Sequence, residues 1–526
     1  MNLSPVARLR TKRGIILFVV LMTVYSVNGD YLPGNDAKAN LYLAVNLLNH
    51  GKLSFSPEEF PFMFKWRFKD PEMTMNPEAI PPTELIQSGA VEVDGPRYYL
   101  VSGARDGAYV IAFSPGSGFM AVPVFAVLKW TGHDPSSHLS YFWYGGKLVA
   151  SSFVAASAVL IYFAAAEFVA AGPALMIALS YGLGTCVWSI SSQTLWQHGP
   201  TEFFLALGAW LLIQSRGRKG VSVLCSGAAL GAAVVCRPTS IAVVVAVGIY
   251  LLLVDKRALL LFVLGGAPLA VALLTYNWYY LGSPLAFGET GNAGAQIALA
   301  KTGSPDLWQT PLLNGALGLL VSPSRGLFVY SPFLLLALPS FARILRDARY
   351  RVLIPLIAGG IGMMVIAFKW FDWWGGWSYG YRPLVDTMPL VILLFIPNVA
   401  DILARPARRA VFLTLLIWSI GVQAIGAFAY ELWGWNARRR VPPVYAAVLS
   451  RSVVRQFVAT DDREALNRAR EMGAIRVVES RQDIDLPEFR SRLWSIRDSQ
   501  IVYYFANFNE SRRIKKALID LDLKRQ

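Results

Sequence analysis

Blocks of roughly twenty apolar residues recur along the chain, divided by short polar stretches. That is the length a helix needs to cross about 30 Å of hydrocarbon. A chain built this way has few folds open to it, because the bilayer core offers no water to satisfy a bare backbone. The composition agrees: 55% of residues are hydrophobic and 16% charged, against about a quarter charged in soluble domains. The net charge of +15 does not call for nucleic acid. The basic residues form short clusters between apolar blocks, a pattern that in a membrane chain reports orientation. Cys186, Cys225 and Cys236 lie inside apolar runs at no metal-ligand spacing and read as small hydrophobes.

The blocks predict membrane helices near 14–28, 145–169, 172–190, 200–214, 221–236, 239–254, 258–280, 326–343, 351–369, 384–402 and 409–429. The expected fold is mainly α, a polytopic membrane helical bundle of about eleven spans. The amino-terminal "RLRTKRGIILFVVLMTVYSV" reads as the first span or as a cleaved signal peptide, although no small-x-small site follows it. In both cases the next residues are exported. The connections "SRGRKG" (215–220), "DKR" (255–257), "RILRDARYR" (343–351) and "ARPARRA" (404–410) then fall inside. All are basic, as the positive-inside rule demands.

The opposite face receives the loops 29–144, 191–200, 281–325 and 371–383 and the chain from about 430. Residues 108–130, broken by "SPGSG" and Pro123, read as an interfacial or re-entrant helix. The domains expected are a transmembrane unit, 1–430, whose first exported loop carries juxtamembrane helices, and a small C-terminal α/β domain, 436–526, also exported. In that tail "DDREALNRAREMGA" (461–474) has helical spacing, while "IRVVES" and "QIVYYFANF" read as strands. Its arginines do not contradict export, since long domains cross largely regardless of charge.

Candidate residues gather on the exported face. Asp30 and Asp36 follow the first span directly. Asp36 sits where an N-cap belongs, as does Asn35, and capping is its simplest account. "SPGSG" is a turn that opens a helix, and Arg105 and Asp106 read as a surface pair. His198 lies beside Trp196 at the membrane edge, ordinarily an interfacial place for a lone histidine. Arg237 in "CRPTS" separates two apolar runs. A guanidinium costs roughly 2.5–3.5 kcal/mol at membrane depth but snorkels cheaply at the interface. Arg325 sits in the "SPSRG" turn that opens a span, where amides and a guanidinium make an anion site. In "FDWWGGWSYGYRP" (371–383) an interfacial belt accounts for the rings. It does not account for Gly375, Gly376 and Gly380, nor for Arg382 between Tyr381 and Pro383. Such rings suit a sugar, and an arginine at the membrane edge suits a lipid phosphate.

Together these segments resemble the GT-C superfamily of integral-membrane glycosyltransferases, in particular bacterial relatives of protein mannosyltransferases and lipid A aminoarabinose transferases. The resemblance runs from about residue 14 to 430. It rests on "NDAKANLYLAVNLLNHGKL", "FSPGSGFMAVP", "SPSRG" and "WWGGWSYGYRP" in that order on one face. It implies a polyprenyl-phosphate sugar donor, a glycan, lipid or protein acceptor, and a place in the bacterial inner membrane with the site and the C-terminus on the extracytoplasmic, cell-envelope side. Asp36, with Asp30 in reserve, is the implied base or acceptor-positioning group. Arg382, Arg325 and Lys369 would hold the donor phosphate. His198, Arg105, Trp374, Tyr379 and Tyr381 would meet the sugar or acceptor. The first loop has no paired-acid motif, so the base and any divalent metal are left open.

Two other readings share the features. A transporter or scramblase of a lipid-linked sugar would carry midplane charges and repeated broken helices. The assigned spans show few ionisable residues, Glu167 and Glu202. A polymerase or ligase of surface polysaccharide would use a similar donor on the same face.

Overall fold

Apolar runs become helices broadly where their length predicts, and prolines decide where they break. The structure is a computed structural model and describes residues 5–70, 80–105, 108–216, 220–448, 457–460 and 476–523. Its principal helices are α1 (Pro5–Ser26), α2 (Asn35–His50), α3 (Gly116–Trp130), α4 (Leu139–Ala166), α5 (Ala171–Gly184), α6 (His198–Ser215) and α7 (Val221–Cys236). They continue as α8 (Ile241–Val254), α9 (Lys256–Leu281), α10 (Leu312–Val321), α11 (Leu353–Lys369), α12 (Pro406–Ala429), α13 (Gln500–Ala506) and α14 (Phe508–Leu523). Three of these, α4, α9 and α12, are long and apolar enough to cross a membrane.

Two expected spans are not continuous helices. The run 326–343 breaks into Leu327–Tyr330, a 3-10 turn Pro332–Ala337 and Ser340–Arg346. The run 384–402 breaks into Arg382–Thr387, Met388–Val391, Ile392–Phe395 and Val399–Ala404. Pro332, Pro339, Pro389 and Pro397 punctuate them, each removing a backbone donor and crowding the preceding turn. The expected 172–190 span stops at Gly184 and passes into a π-turn, Val187–Ser191.

Glycine lets several helices approach to backbone contact. A Cβ on Gly227 of α7 would lie 2.0 Å from the Phe262 carbonyl oxygen of α9, and one on Gly265 would lie 1.9 Å from that of Leu224. Small residues at helix crossings are how apolar helices gain packing without a solvent-driven core. The "SPGSG" turn has a similar purpose. A Cβ on Gly116 would meet the Val235 carbonyl of α7 at 2.7 Å, and one on Gly118 would meet Leu43 of α2 at 2.7 Å.

The first long loop carries two antiparallel hairpins, β1 (Phe64–Phe68) with β2 (Val91–Pro96) and β3 (Leu100–Ser102) with β4 (Tyr109–Ile111). The segment 108–130 is therefore part strand and part helix. In the tail, β5 (Ala437–Val448) pairs with both β6 (Phe457–Thr460) and β7 (Arg476–Asp483), so the "RVVES" strand forms as expected. "QIVYYFANF" does not: it enters α13. Ser499 accepts from the Val502 N–H and caps that helix, and its Tyr504 ring packs onto the bundle, 5.6 Å from Tyr430. The helix expected at 461–474 lies outside the described residues. Both α13 and α14 pack against α12.

Ionisable groups inside the expected spans exceed the two read from sequence. Lys147 of α4 is buried, donating to the Asn28 side chain and the Asp30 carbonyl. Glu202 of α6 is fully buried and accepts from Ser191 Oγ at 2.5 Å and the Tyr181 hydroxyl at 3.3 Å.

Candidate functional site

The helices that build the site share a polarity. α7 leads into Arg237, α9 into the 282–291 turn, α11 into Trp370, and α12 into Leu432. The opposite ends of α8, α9, α11 and α12 meet the basic connections 255–257, 343–351 and 404–410. A cavity of about 740 Å³ lies at the first set of ends. One wall is apolar, from Met363, Ile366 and Ala367 of α11, and the other is charged.

Asp36 stands in the first turn of α2, not at its cap. Gly34 occupies the cap, and a Cβ there would lie 2.8 Å from Trp196 Nε1. The helix start is thus pressed onto the 191–197 segment, and Asn40 donates to the Leu195 carbonyl. Freed from capping, Asp36 Oδ2 accepts from Arg382 Nη2 at 2.7 Å. The Arg382 guanidinium lies over the Trp196 ring, 4.5 Å from its centroid, so a ring and a carboxylate fix its plane.

Arg382 opens a 3-10 turn whose next turn presents Asp386. Asp386 Oδ2 accepts from Arg237 Nε at 2.9 Å, and Oδ1 lies 2.8 Å from His198 Nδ1. Arg237 Nη1 lies 3.0 Å from that ring nitrogen. Loop 191–200 is folded inward, and His198 is buried rather than interfacial, 2% exposed. Two guanidiniums, each about a quarter exposed, therefore face the cavity with N–H donors left over.

A third cation, Lys301, bridges Asp372 at 2.6 Å and Asp485 at 3.0 Å. Burial opposes its charge, yet the two carboxylates hold the ammonium above its ordinary value. Tyr99 also lines the cavity. It follows Tyr98, and both have φ above +50°, a strained pair of order 1–2 kcal/mol each. The Asp36 carboxylate, ahead of burial, holds the Tyr99 phenol above its ordinary range. Glu289, in the 282–291 turn, is the remaining acid; burial pushes its carboxyl up to about 7.

Of the residues read from sequence, Asp36 and Arg382 meet in this cavity. Asp30 is elsewhere: its carbonyl holds Lys147 and its side chain is buried away from the lining set. Arg325 is fully buried. It donates to the Trp374, Ser324 and Gly376 carbonyls and to Gln500 Oε1, which makes it a strut rather than a phosphate ligand. Lys369, at the end of α11, is not in the lining set. Arg105 is exposed and stacks on Tyr279 at 3.8 Å; Asp106 lies outside the described residues. Trp374, Tyr379 and Tyr381 are buried and engaged, with Asp485, the Val422 carbonyl, and Ser331 with the Cys186 N–H respectively. Their rings support the loop, while Trp377, Gly375, Gly376 and Pro383 face the cavity.

No protein-family model and no curated protein sequence matches the chain. Among the described residues no three histidine, cysteine or carboxylate side chains converge as a metal site. Most cavity carboxylates are already engaged by arginine, lysine or histidine, so the set does not fit a divalent ion. Sequence reading missed Asp386, Glu289, Lys301 and Tyr99. Asp386 carried a signal, an acid within an apolar run; Glu289 in "FGETGN" carried none.

A second cavity of about 980 Å³ shares Asn35, Trp377 and Leu432 with the first and is otherwise lined mainly by the tail, including Glu431, Arg438, Arg481 and Lys515.

Proposed function

We propose that the chain is a membrane glycosyltransferase of GT-C type, moving a sugar from a polyprenyl-phosphate donor to an acceptor. The observation that carries this reading is the Asp36–Arg382 pair, set in a cavity with one apolar and one charged wall. An isoprenoid tail needs the α11 wall, and its phosphate needs guanidinium donors, which arginine presents in a fixed fork. Arg382 and Arg237 supply them. Trp308, Trp370 and Trp377 offer faces for a sugar.

In the reaction an acceptor hydroxyl attacks the anomeric carbon, and the bond from that carbon to the phosphate oxygen breaks. The leaving phosphate gains charge as it departs. Preorganised arginines there are typically worth about 3–4 kcal/mol per donor. The basic connections at the far helix ends support a cytoplasmic assignment for that end by the positive-inside rule. The cavity would then open outside a bacterial inner membrane.

The test is transfer from undecaprenyl-phosphate-linked hexoses and pentoses by the purified protein in nanodiscs. Transfer by the wild type, abolished in Arg382→Ala, is expected. A wild type that transfers none of these sugars overturns the reading.

A further inference from the structure

Five carboxylates line the cavity: Asp36, Glu289, Asp372, Asp386 and Asp485. Four are engaged by cations. Arg382 holds Asp36, Arg237 and His198 hold Asp386, and Lys301 holds both Asp372 and Asp485. Glu289 differs. It is partly exposed to the cavity, and its carboxylate has neither ion pair nor hydrogen bond among the described residues.

Its position is nevertheless fixed. A Cβ on Gly288 would lie 2.6 Å from the Ala112 carbonyl oxygen, just beyond β4, and one on Gly294 would lie 1.9 Å from the carbonyl of Glu289 itself. The short turn Gly288–Thr290 is thus wedged between the first loop and the helix Asn292–Thr302. The charges that act most strongly on Glu289 are those of Arg237, Asp36, Arg382 and Asp386.

A general base must have a lone pair free to take a proton, and a carboxylate bound to a guanidinium is a weaker base than a free one. We propose that Glu289 is the general base of sugar transfer, and that Asp36 is a positioning residue holding Arg382; this rests on the glycosyltransferase reading. The acceptor O–H gives its proton to a Glu289 carboxylate oxygen. The acceptor oxygen forms the new bond to the anomeric carbon. The electron pair of the breaking carbon–oxygen bond leaves with the polyprenyl phosphate, whose charge Arg382 and Arg237 meet. A carboxyl titrating near 7 suits this task, since a base works best when its pKa lies near the working pH.

The experiment compares wild type, Glu289→Gln and Glu289→Asp in nanodiscs. It measures transfer from pH 5 to 9 and thermal stabilisation by undecaprenyl phosphate. For Glu289→Gln, kcat is expected to fall about 100-fold or more, with donor KM and the undecaprenyl-phosphate shift unchanged. The rise in wild-type rate around pH 7 should disappear in this variant, and Glu289→Asp should restore part of the rate. A Glu289→Gln variant that keeps its rate or its pH limb overturns the assignment, while wild-type transfer still upholds the glycosyltransferase reading. Loss of the undecaprenyl-phosphate shift in Glu289→Gln would also overturn it, pointing to binding or structure. A wild type that transfers nothing removes both proposals.

Discussion

Asp36 and Arg382 are 346 residues apart in the chain and joined by a 2.7 Å hydrogen bond in the fold. Their side chains are 21% and 23% exposed, so the pair is neither a screened surface contact nor a sealed ion pair. Residues in direct contact are expected to couple by about 0.5–3 kcal/mol. Asp36→Asn and Arg382→Lys should each raise donor KM about tenfold or more. Their combination should cost less than the product of the two effects. Multiplicative effects in the double variant would show that the pair does not act as a unit.

Arg325 is predicted to govern stability rather than donor affinity. Its guanidinium has no exposed surface and holds the Trp374 and Gly376 carbonyls, 2.7 and 3.1 Å away. Gln500 Oε1, from the tail, accepts from it at 2.8 Å and also from the Gly380 N–H at 2.9 Å. Removing the arginine leaves the buried Trp374 carbonyl without its donor, at about 1–3 kcal/mol, while the Gly376 and Ser324 carbonyls and Gln500 Oε1 keep one donor or more each. Arg325→Ala should lower the melting temperature by a few degrees, with donor KM unchanged in the surviving protein. Gln500→Ala should act in the same direction, and truncation before residue 436 should abolish expression of folded protein. A truncated chain of wild-type stability would refute this.

The helical bundle was legible in the sequence because apolar length and basic clusters are local signals. Arg382 stood out in its own segment; Asp36 did not, since a helix cap was its simplest local account and only the family resemblance singled it out. The aromatic loop was half legible: its glycines and arginine signalled a site, but nothing local told Trp377, which faces the cavity, from Trp374, which faces Asp485. Such distinctions depend on contacts a hundred residues away. Arg325 misled for the same reason, since its ligands include Gln500 from α13. Glu289 was invisible because its meaning comes from what its neighbours already hold.

Gly380 is predicted to tolerate no side chain. Its φ is +55°, and a Cβ would lie 2.9 Å from both Cys186 Sγ and the Tyr330 ring. Left-handed backbone and overpacking together cost about 2–4 kcal/mol. Gly380→Ala should therefore lower thermal stability, whereas Gly421→Ala, where a Cβ meets nothing within 4 Å, should not. Equal melting temperatures would refute the claim.

Glu431 gives the stability a pH dependence whose sign is fixed. It is 2% exposed; Oε2 accepts from the Trp433 N–H at 2.8 Å, and Oε1 has no hydrogen bond among the described residues. Burial pushes its carboxyl up from 4.5 to about 7. Between those values the folded protein keeps a proton that the unfolded chain has released, so this group lowers stability as pH rises through the window. Lys515 lies in the same second cavity, and burial brings its ammonium down from 10.5 to about 8. The folded state loses that proton first, so stability recovers as pH rises from about 8 towards 10.5. Glu431→Gln removes the first effect and takes away a carboxylate that raises the Lys515 ammonium, so the second effect persists. It should melt higher than wild type at pH 8, by at most about 3 kcal/mol of stability, and show no gain near pH 4.5. Melting curves recorded across this range in detergent should converge at the acid end; profiles that stay parallel would show that Glu431 is not the titrating group.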